Sequence, residues 1–476
     1  MARLKKNLIY QTVYQILAVL LPLITTPIVA RALGADGLGQ FSYTNAIVSY
    51  FGLFILLGVK SYGTRQIAQA RTHADPKREV SEVFCQIYAL QLALAIGVIA
   101  LYYLTIRLWA GDNFDLACIQ GVNLLSIAID VSWFYFGIEN FKKTVTRDIL
   151  IKLACMVCII LLIHDRDDLY LYAAILIFST LLSNLYLLLV IKKEVTFIRP
   201  GLKDVSKHLK PNLVLFIPVV AASMYVYMDK IMLGYISGDV QTGYYESMEK
   251  IINIPTAFIN ALMMVMYPRM ALLVSQDTNK NYHRYMDVSI WGTGWFSMAC
   301  TFGLIAIADL FVPFYMGEGF RPAVLTLQIG SLIILPRGIR GLIKSEYLLP
   351  NGKDKEVNIS IVSGAVVNLV LNLILMPLYG ANGAIVATVL SEVVSCGVAL
   401  WYASSQVSIR HMVGSIIPYA LIGAIMYGVI LPFRQMTFAN RAIQLLVEIG
   451  VGAAVYIALS ACFIGLAKRR KPDEHE

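Results

Sequence analysis

The sequence of 476 residues has little charge and no polar stretch long enough to form a soluble domain. Only 14% of its residues are charged, against about 25% in typical soluble domains, and 58% are hydrophobic. Its mean hydropathy of +0.68 excludes an ordinary soluble globular protein.

The sequence also lacks cysteines in loops. All seven cysteines lie in or beside apolar runs, without the spacing of a disulfide framework. Cys155 and Cys158 form a CxxC pair, but the surrounding stretch LACMVCIILLI favours helix packing. We therefore expect neither disulfides nor a redox or metal centre.

Catalytic motifs are missing as well. The six histidines lie in loops or at helix ends, with no HExxH and no nucleophile elbow. The glycine-rich stretch GADGLG at 34–39 lacks GxGxxG spacing, so no nucleotide-binding loop is predicted. We expect a protein that is not an enzyme, needs no cofactor or metal and is not driven directly by ATP.

What the sequence has instead is a succession of apolar runs. Each run has about 18 residues or more, enough for a helix to cross about 30 Å of hydrocarbon. We predict an all-α integral membrane protein with fourteen transmembrane helices. The predicted spans are 8–31, 38–59, 80–104, 116–138, 146–163, 169–191, 211–236, 244–269, 286–316, 321–349, 356–376, 380–405, 411–431 and 440–467.

Lysine and arginine are distributed unequally between the loops that join these spans. With the N-terminus inside, about 27 fall in cytoplasmic segments and about 6 in outer loops. An even number of spans returns the C-terminus to the cytoplasm. Because this topology and contact with anionic lipid account for the net charge of +9, no nucleic-acid partner is predicted.

The longest inner loop divides the predicted spans into six before it and eight after it. This loop separates two lobes and is followed, beyond the second lobe, by two further helices. The predicted divisions are an N-lobe at 1–191, a cytoplasmic linker at 192–210, a C-lobe at 211–405, and two helices with a basic tail at 406–476.

A weak internal repeat relates the two lobes. Leu33-Gly34 followed by Gly39 resembles Leu233-Gly234 followed by Gly243, each at the outer turn between the first two helices of a lobe. Because the repeated elements have the same orientation, we predict two six-helix lobes related by a parallel pseudo-two-fold repeat, plus two C-terminal helices.

Ionisable side chains inside the apolar runs mark the candidate site, since each costs about 2.5–3.5 kcal/mol or more at the bilayer centre. Arg337, Arg340 and Lys344 are spaced i, i+3 and i+7, which places them on one helix face. Such a cationic stripe indicates an anionic ligand, and the planar arginine fork suits phosphate. For Lys344, snorkelling into cytoplasmic water is an equal alternative.

A second group of charges lies between Tyr225 and Lys250. It comprises Asp229, Lys230, Glu246, Glu249 and Lys250. So many charges in apolar segments suggest a working site. The alternative is that they pair with neighbours, as glutamate and lysine do at i, i+4.

The fourth predicted helix carries the last candidates. Asp130 is a candidate proton or sodium site, or the counter-ion of an arginine, and the sequence does not choose between these roles. Trp133 belongs to an aromatic run that either stacks on sugar or packs in the core or the interfacial belt.

Four stretches of the sequence can be compared with a known family: ARALGADGLGQFSY, IDVSWFYFGIEN, YMDKIMLGYISGDVQTGYYESMEKI and VVNLVLNLILMPLYGANGAIVATVLSE. Together they resemble polysaccharide flippases of the Wzx type, in the multidrug/oligosaccharidyl-lipid/polysaccharide exporter superfamily. The resemblance covers nearly the whole chain. It implies two six-helix lobes around a central cationic cavity, alternating access, and an undecaprenyl diphosphate carrying an oligosaccharide repeat unit as substrate.

On this resemblance we expect a flippase that moves the repeat unit from the cytoplasmic to the outer leaflet of the bacterial inner membrane, for O-antigen, capsule or exopolysaccharide synthesis. Membrane lipids and a polysaccharide polymerase are the expected partners. The alternatives are a cation-coupled multidrug antiporter or a lipid II flippase of the same superfamily. A membrane polymerase or glycosyltransferase is a weaker alternative, because it would need a large catalytic loop and every predicted loop is short.

Charge at membrane depth is the basis for the roles that we expect of the candidate residues. The expected ligands of the diphosphate or of acidic sugars are Arg337, Arg340, Lys344, Arg31, Lys230 and Lys250, with Trp133 against the sugar. The expected residues for coupling to a proton or sodium gradient are Asp130, Asp229, Glu246 and Glu249.

Overall fold

The computed structural model describes the backbone of residues 2–73, 75–276, 279–436, 438 and 440–470. Side chains are described from residue 21 onwards within these ranges, except at 141–143, 218, 221–222, 225, 275, 279–281, 435 and 467–470. This part of the chain is helical and contains no β-strand, which confirms the all-α class. The end of the predicted basic tail, residues 471–476, lies outside it.

Seventeen α-helices follow one another in the described ranges, with short connections. They are α1 (Ala2–Leu56), α2 (Val59–Ala70), α3 (Pro76–Trp109), α4 (Phe114–Ala128), α5 (Ser132–Gly137), α6 (Phe141–Leu162), α7 (Leu169–Val190), α8 (Leu202–Ser206), α9 (Leu209–Ser223), α10 (Asp229–Ser237), α11 (Asp239–Ser275), α12 (Asn279–Met316), α13 (Val324–Gly330), α14 (Ile334–Leu342), α15 (Asp354–Ala403), α16 (Ile409–Ile430) and α17 (Arg441–Arg470). Two π-helical segments occupy Met224–Met228 and Ile343–Leu348.

Ten helical stretches of the described chain are long and apolar enough to cross a membrane, so the protein is multi-pass. Two of them, Leu21–Ala70 and Asp354–Ala403, have 50 residues each. A straight helix of that length would extend about 75 Å, far beyond the hydrocarbon thickness. Both are interrupted by a glycine with non-helical φ and ψ, Gly34 in the first and Gly380 in the second. Fourteen crossings remain a prediction.

The contacts divide the chain into two compact units, Met1–Gly243 and Tyr244–Glu476. In the first unit α1 packs on α3, α4, α6, α7 and α10. In the second unit α12 packs on α13, α14, α16 and α17, and α15 packs on α13 and α14. The lobes at 1–191 and 211–405 remain a prediction.

Two glycines make the same sharp turn in the first unit. Gly34 has φ 68° and ψ −179°, and Gly238 has φ 87° and ψ 175°. Side chains disfavour positive φ, so glycine is the residue suited to both turns. The structural equivalent of Gly34 is therefore Gly238, and the sequence comparison that paired it with Gly234 was wrong by one helical turn.

The backbones that follow these two turns touch each other through a second pair of glycines. A Cβ atom on Gly39 would lie 1.7 Å from the carbonyl oxygen of Asp239, and one on Gly243 would lie 1.8 Å from that of Ala35. Gly39 thus contacts Asp239, four residues before Gly243, and Gly243 contacts Ala35, four residues before Gly39. Such reciprocal contacts are what a two-fold relation between two segments produces.

The predicted span at 116–138 is interrupted between α4 and α5. Gln91, fully buried on α3, donates from Nε2 to the carbonyl oxygens of Ala128 at 2.9 Å and Asp130 at 3.0 Å. Its Oε1 accepts from Nε1 of Trp133 at 3.1 Å. One amide side chain therefore satisfies the carbonyl groups that the interruption frees, as a broken helix inside a membrane protein requires.

A buried histidine in the loop before α9 leads to a prediction about pH. Nδ1 of His208 accepts from the Tyr62 hydroxyl at 2.8 Å, and Nε2 donates to Oε1 of Gln86 at 3.0 Å, so both ring nitrogens are satisfied in the neutral form. Burial, with a smaller effect of Lys207, lowers the pKa of His208 from 6.5 to about 4. The unfolded chain therefore binds a proton that the folded chain excludes between these pH values.

We expect the stability that His208 contributes to be complete above pH 6.5 and to be lost progressively as the pH falls towards 4, by up to about 3 kcal/mol. Thermal unfolding in detergent at several pH values measures this loss. The variant His208→Gln should show a flatter pH dependence between pH 7 and 4.5, while His73→Gln, which changes an exposed histidine, should follow the wild type. Equal slopes for all three proteins would contradict the assignment.

Candidate functional site

The predicted basic stripe lies in the second unit, on α14 and the π-helical segment after it. Arg337 and Arg340 are three residues apart on α14, so both side chains leave the same helix face. Their side chains are 21% and 18% exposed, respectively. Two guanidinium groups are thus held largely out of solvent on a membrane-spanning segment.

A buried carboxylate holds these two arginines together. Glu392 of α15 is 1% exposed, and its Oε1 accepts from Nε of Arg337 at 2.8 Å. Its Oε2 lies 3.1 Å from Nε and 3.0 Å from Nη2 of Arg340, a two-pronged contact typical of arginine and carboxylate. Because one carboxylate faces two guanidinium groups, the three side chains keep one positive charge in excess.

Asn253 of α11 completes the group, accepting from Nη1 of Arg337 at 2.9 Å. We call Arg337, Arg340, Glu392 and Asn253 the arginine cluster. These contacts leave Nη2 of Arg337 and Nη1 of Arg340 without an acceptor among the described residues. Both nitrogens belong to partly exposed side chains, so the cluster offers N–H donors to an anion.

Other predicted residues of the second unit lie around the cluster. Glu249 acts electrostatically on Arg337, and Arg340 acts on Lys344, whose side chain is exposed. Lys250 and Glu246 form an ion pair of 3.2 Å one helical turn apart. The structure thus brings the predicted stripe together with charges of α11 and with the predicted i, i+4 pair.

The remaining predicted charges belong to the first unit. Arg31 is exposed on α1, Lys230 is half-buried on α10, and Asp229 beside it is 1% exposed. These residues belong to the first unit, and their roles towards a substrate remain predictions.

Asp130 and Trp133 have structural partners at the interruption between α4 and α5. Oδ1 of Asp130 accepts from the backbone N–H of Ser132 at 2.9 Å, and Oδ2 lies 3.8 Å from Nζ of Lys60. Trp133 is fully buried and stacks on Phe84 with ring centroids 5.6 Å apart. Because no part of Trp133 is exposed, the core alternative describes it here, and it offers no surface to a sugar.

Two residues of the arginine cluster were not among the predicted site residues. Glu392 was visible in the sequence only as an acid inside an apolar run, and Asn253 only as a polar residue on the face of Glu249. The signal that could have found Glu392 is the rule that buried charges are paired. That rule asks for an acid near the arginines but does not say which one.

The fold and the cluster together define a class of protein. A multi-pass helical chain with partly exposed guanidinium groups on a membrane-spanning segment is an integral membrane protein with a candidate site for an anionic ligand. The chain belongs to the polysaccharide biosynthesis protein family, because the profile of that family matches residues 4–274, more than half of the chain. This confirms the family resemblance seen in the sequence.

Relatives of known description agree with this family. An O-antigen transporter of Escherichia coli K12 is 25% identical over 399 residues, covering 82% of this chain and 94% of the relative. A low-salt glycan biosynthesis flippase of Haloferax volcanii is 22% identical over 438 residues, covering 91% of this chain and 90% of the relative.

A solved structure shares the fold. The lipid II flippase MurJ in an inward closed conformation superposes with a TM-score of 0.80, covering 95% of this chain and 98% of the other at 14% identity. At this identity the likeness shows the fold alone. It confirms the all-α membrane architecture predicted from the sequence.

Proposed function

We propose that this protein is a flippase that moves lipid-linked oligosaccharide repeat units across the bacterial inner membrane, with undecaprenyl diphosphate as the lipid carrier. The repeat units would serve the synthesis of a surface polysaccharide. The observation that carries the proposal is the arginine cluster, a cationic group at membrane depth in a chain of the polysaccharide biosynthesis protein family. Both termini are proposed to be cytoplasmic, in line with the positive-inside rule.

The diphosphate is the part of this substrate that the cluster suits. A diphosphate presents several anionic oxygens, and arginine binds such groups with two parallel N–H donors. The N–H groups of Arg337 and Arg340 that Glu392 and Asn253 do not use supply these donors. The proposal for Lys344 is that its exposed ammonium group adds to the same attraction.

A neighbouring apolar groove suits the lipid part. A cavity of about 650 Å³ in the second unit is lined almost entirely by apolar side chains of α14, α15 and α16. Its lining includes Cys396, a residue on which both Arg340 and Glu392 of the cluster act electrostatically. A diphosphate at the cluster would therefore have an apolar surface beside it for the start of the prenyl chain.

Coupling to a proton or sodium gradient is part of the proposal. Glu249 and Glu246 are the candidates in the second unit, because they lie among the cations around the cluster. Asp229 and Asp130 are the candidates in the first unit. A translocation rate that is the same with and without each gradient would contradict coupling while leaving the flippase function intact.

Translocation in proteoliposomes tests the function. A fluorescent undecaprenyl-diphosphate oligosaccharide is placed in both leaflets, and a membrane-impermeant quencher follows its arrival in the outer leaflet. We expect the wild type to exchange the lipid faster than protein-free liposomes do. Parallel samples contain fluorescent lipid II or a fluorescent organic cation with a proton gradient.

The parallel samples separate the alternatives. Exchange of lipid II without exchange of the oligosaccharide lipid would replace this proposal by a lipid II flippase. Extrusion of the organic cation with no lipid exchange would replace it by a multidrug antiporter. Lengthening of the sugar chain in the absence of a membrane would indicate a polymerase.

A further inference from the structure

A buried carboxylic group that the proposed function does not use lies in the π-helical segment Ile343–Leu348, at Glu346. Its side chain is fully buried. The Ser289 hydroxyl of α12 lies close enough to interact with it. Neither Oε1 nor Oε2 has a hydrogen bond of normal geometry among the described residues. An ionised carboxylate is not stable in such a place, whereas a protonated one is neutral.

The groups that face Glu346 do not neutralise it. From α12, the Tyr282 hydroxyl donates to the backbone oxygen of Glu346 at 3.2 Å, not to its carboxyl group. On its own segment, the Tyr347 hydroxyl is bonded to Nζ of Lys353 at 2.7 Å. Lys344 is two residues away and so leaves another side of the helix.

The buried charges of the two helices packed next to this segment, α14 and α15, are paired with each other. The remaining charged residues of α15 lie at its start and are exposed or half-buried: Asp354, Lys355 and Glu356. Arg337 and Arg340 of α14 are paired with Glu392 of α15. No basic side chain of the described chain hydrogen-bonds to the Glu346 carboxyl oxygens. A proton is therefore the simplest partner that satisfies the group.

A row of hydroxyl groups on α12 begins beside Glu346. Ser289, Thr293, Ser297 and Thr301 are spaced four residues apart, and all four are at least 95% buried. We call them the hydroxyl row. Oγ1 of Thr293 and Oγ of Ser297 have no hydrogen-bond partner among the described residues. Unsatisfied buried hydroxyls of this kind call for water or a proton-carrying neighbour.

The row is packed closely against α14 where that helix has a glycine. A Cβ atom on Gly338 would lie 3.1 Å from Cγ2 of Thr293 and 3.4 Å from Oγ of Ser297. At its far end, Thr301 donates to the carbonyl oxygen of Ser331 at 3.1 Å. The row therefore runs inside the second unit and not along a lipid-facing surface.

The spacing of the row suits a hydrogen-bonded chain. Four residues of α-helix rise about 6 Å, roughly the length of two hydrogen bonds, so successive hydroxyls are separated by the distance that a single bridging water would span. From Ser289 to Thr301 the row extends about 18 Å along the helix. Each hydroxyl both donates and accepts, which is what relay of a proton needs.

We propose that Glu346 is a proton-binding site of this protein and that the hydroxyl row conducts the proton to it. The step adds one proton from water to the carboxylate and gives a neutral carboxylic acid, and the reverse step returns the proton to water. This site is distinct from the four acids considered for coupling above, and the proposal holds whichever lipid-linked sugar the protein moves.

Infrared difference spectroscopy of the full-length protein in proteoliposomes tests the site without any transport substrate. At neutral pH we expect the spectrum of the wild type minus that of Glu346→Gln to show a carbonyl stretching band of a protonated carboxyl group, shifted in heavy water. Glu318→Gln is the matched control, because Glu318 is 55% exposed and paired with Arg321 and Arg441, so its loss should leave the band unchanged. Glu346→Asp keeps a carboxyl group and should shift the band if the glutamine variant does not fold.

The rate at which this band shifts after transfer to heavy water tests the row. We expect the double variant Thr293→Val/Ser297→Ala to exchange at least about tenfold more slowly than the wild type, since two relay groups are gone. Ser395→Ala, which removes a buried hydroxyl that donates to the Ser360 carbonyl, should exchange at the wild-type rate.

Two results would overturn the proposal. A spectrum of the wild type minus that of Glu346→Gln without a protonated-carboxyl band would show that Glu346 does not hold the proton, since a band from another buried acid such as Glu448 cancels in this difference. Equal exchange rates in the double variant and the wild type would remove the hydroxyl row as the route. Neither result depends on the translocation assay, so failure here is separate from failure of the flippase function.

Discussion

Replacing Arg337 and Arg340 together by glutamine is expected to reduce translocation of the lipid-linked oligosaccharide to the rate of protein-free liposomes. A hydrogen bond to a charged group contributes about 1.5–3 kcal/mol, so the loss of one from each arginine predicts a loss of about 3–6 kcal/mol. That corresponds to more than about a hundredfold in affinity for the diphosphate. Fluorescent-lipid exchange in proteoliposomes measures the effect.

Loss of translocation in the double variant can arise from a lost binding site or from a destabilised fold, and a third substitution separates the two causes. With both arginines gone, Glu392 is left as an unpaired buried acid, and breaking a buried pair in this way destabilises a protein by about 3–5 kcal/mol. The triple variant Arg337→Gln/Arg340→Gln/Glu392→Gln removes the orphaned charge as well. We expect it to recover thermal stability but not translocation.

The control for charge alone uses arginines outside the arginine cluster. Arg321→Gln/Arg441→Gln removes two exposed arginines that pair with Glu318, and we expect it to translocate at close to the wild-type rate. A folded triple variant that translocates as fast as the wild type would refute the role proposed for the cluster.

The second large effect is expected at the contact between the two glycine turns. Gly39→Ala and Gly243→Ala each place a Cβ atom within 2 Å of a backbone carbonyl oxygen, of Asp239 and Ala35 respectively. Backbone atoms cannot rotate away as a side chain can, so the two segments must separate. We expect each substitution to destabilise the protein by about 1–3 kcal/mol or more, measured as thermal unfolding in detergent.

The double variant Gly39→Ala/Gly243→Ala provides a sharper test of the reciprocal contact. Once one alanine has forced the segments apart, the second has more room, so its additional cost should be smaller than its cost alone. The controls are Gly397→Ala and Gly450→Ala, since an added Cβ meets nothing within 4 Å at either position. Those two should be neutral or slightly stabilising because alanine favours the helix.

Additive costs in the double variant would mean that the two glycines act at independent places. Stabilities equal to those of the control variants would mean that the two backbones do not approach as closely as the structure places them. Either result would remove the two-fold relation inferred for this contact.

Some features of this protein can be predicted from the sequence of each segment taken alone. Apolar runs of membrane-spanning length fixed the all-α membrane class, since an unpaired backbone polar group is too costly in hydrocarbon. The helical period alone placed Arg337 and Arg340 on one face. Arginine at that depth was sufficient to indicate an anionic ligand.

Other features depend on which helices pack together. The sequence placed Glu392 only within an apolar run, whereas packing of α14 on α15 sets it between Arg337 and Arg340. The sequence allowed either a core role or a sugar-binding role for Trp133, whereas the structure shows that its ring is buried against Phe84 of α3. Gly238 replaced Gly234 as the equivalent of Gly34 because backbone angles, not residue names, define a turn.

The sequence by itself thus determined the membrane class and the cationic stripe, because each depends on hydrophobicity and period within a single segment. The family was recognised from motifs spread over nearly the whole chain, and the family profile confirms it. Only the tertiary structure decided which acid neutralises the arginines and which acid, Glu346, is left with no partner among the described residues. The physical reason is that spacing within one helix fixes the face on which a side chain lies. What lies opposite that face is set by the packing of segments distant in the chain.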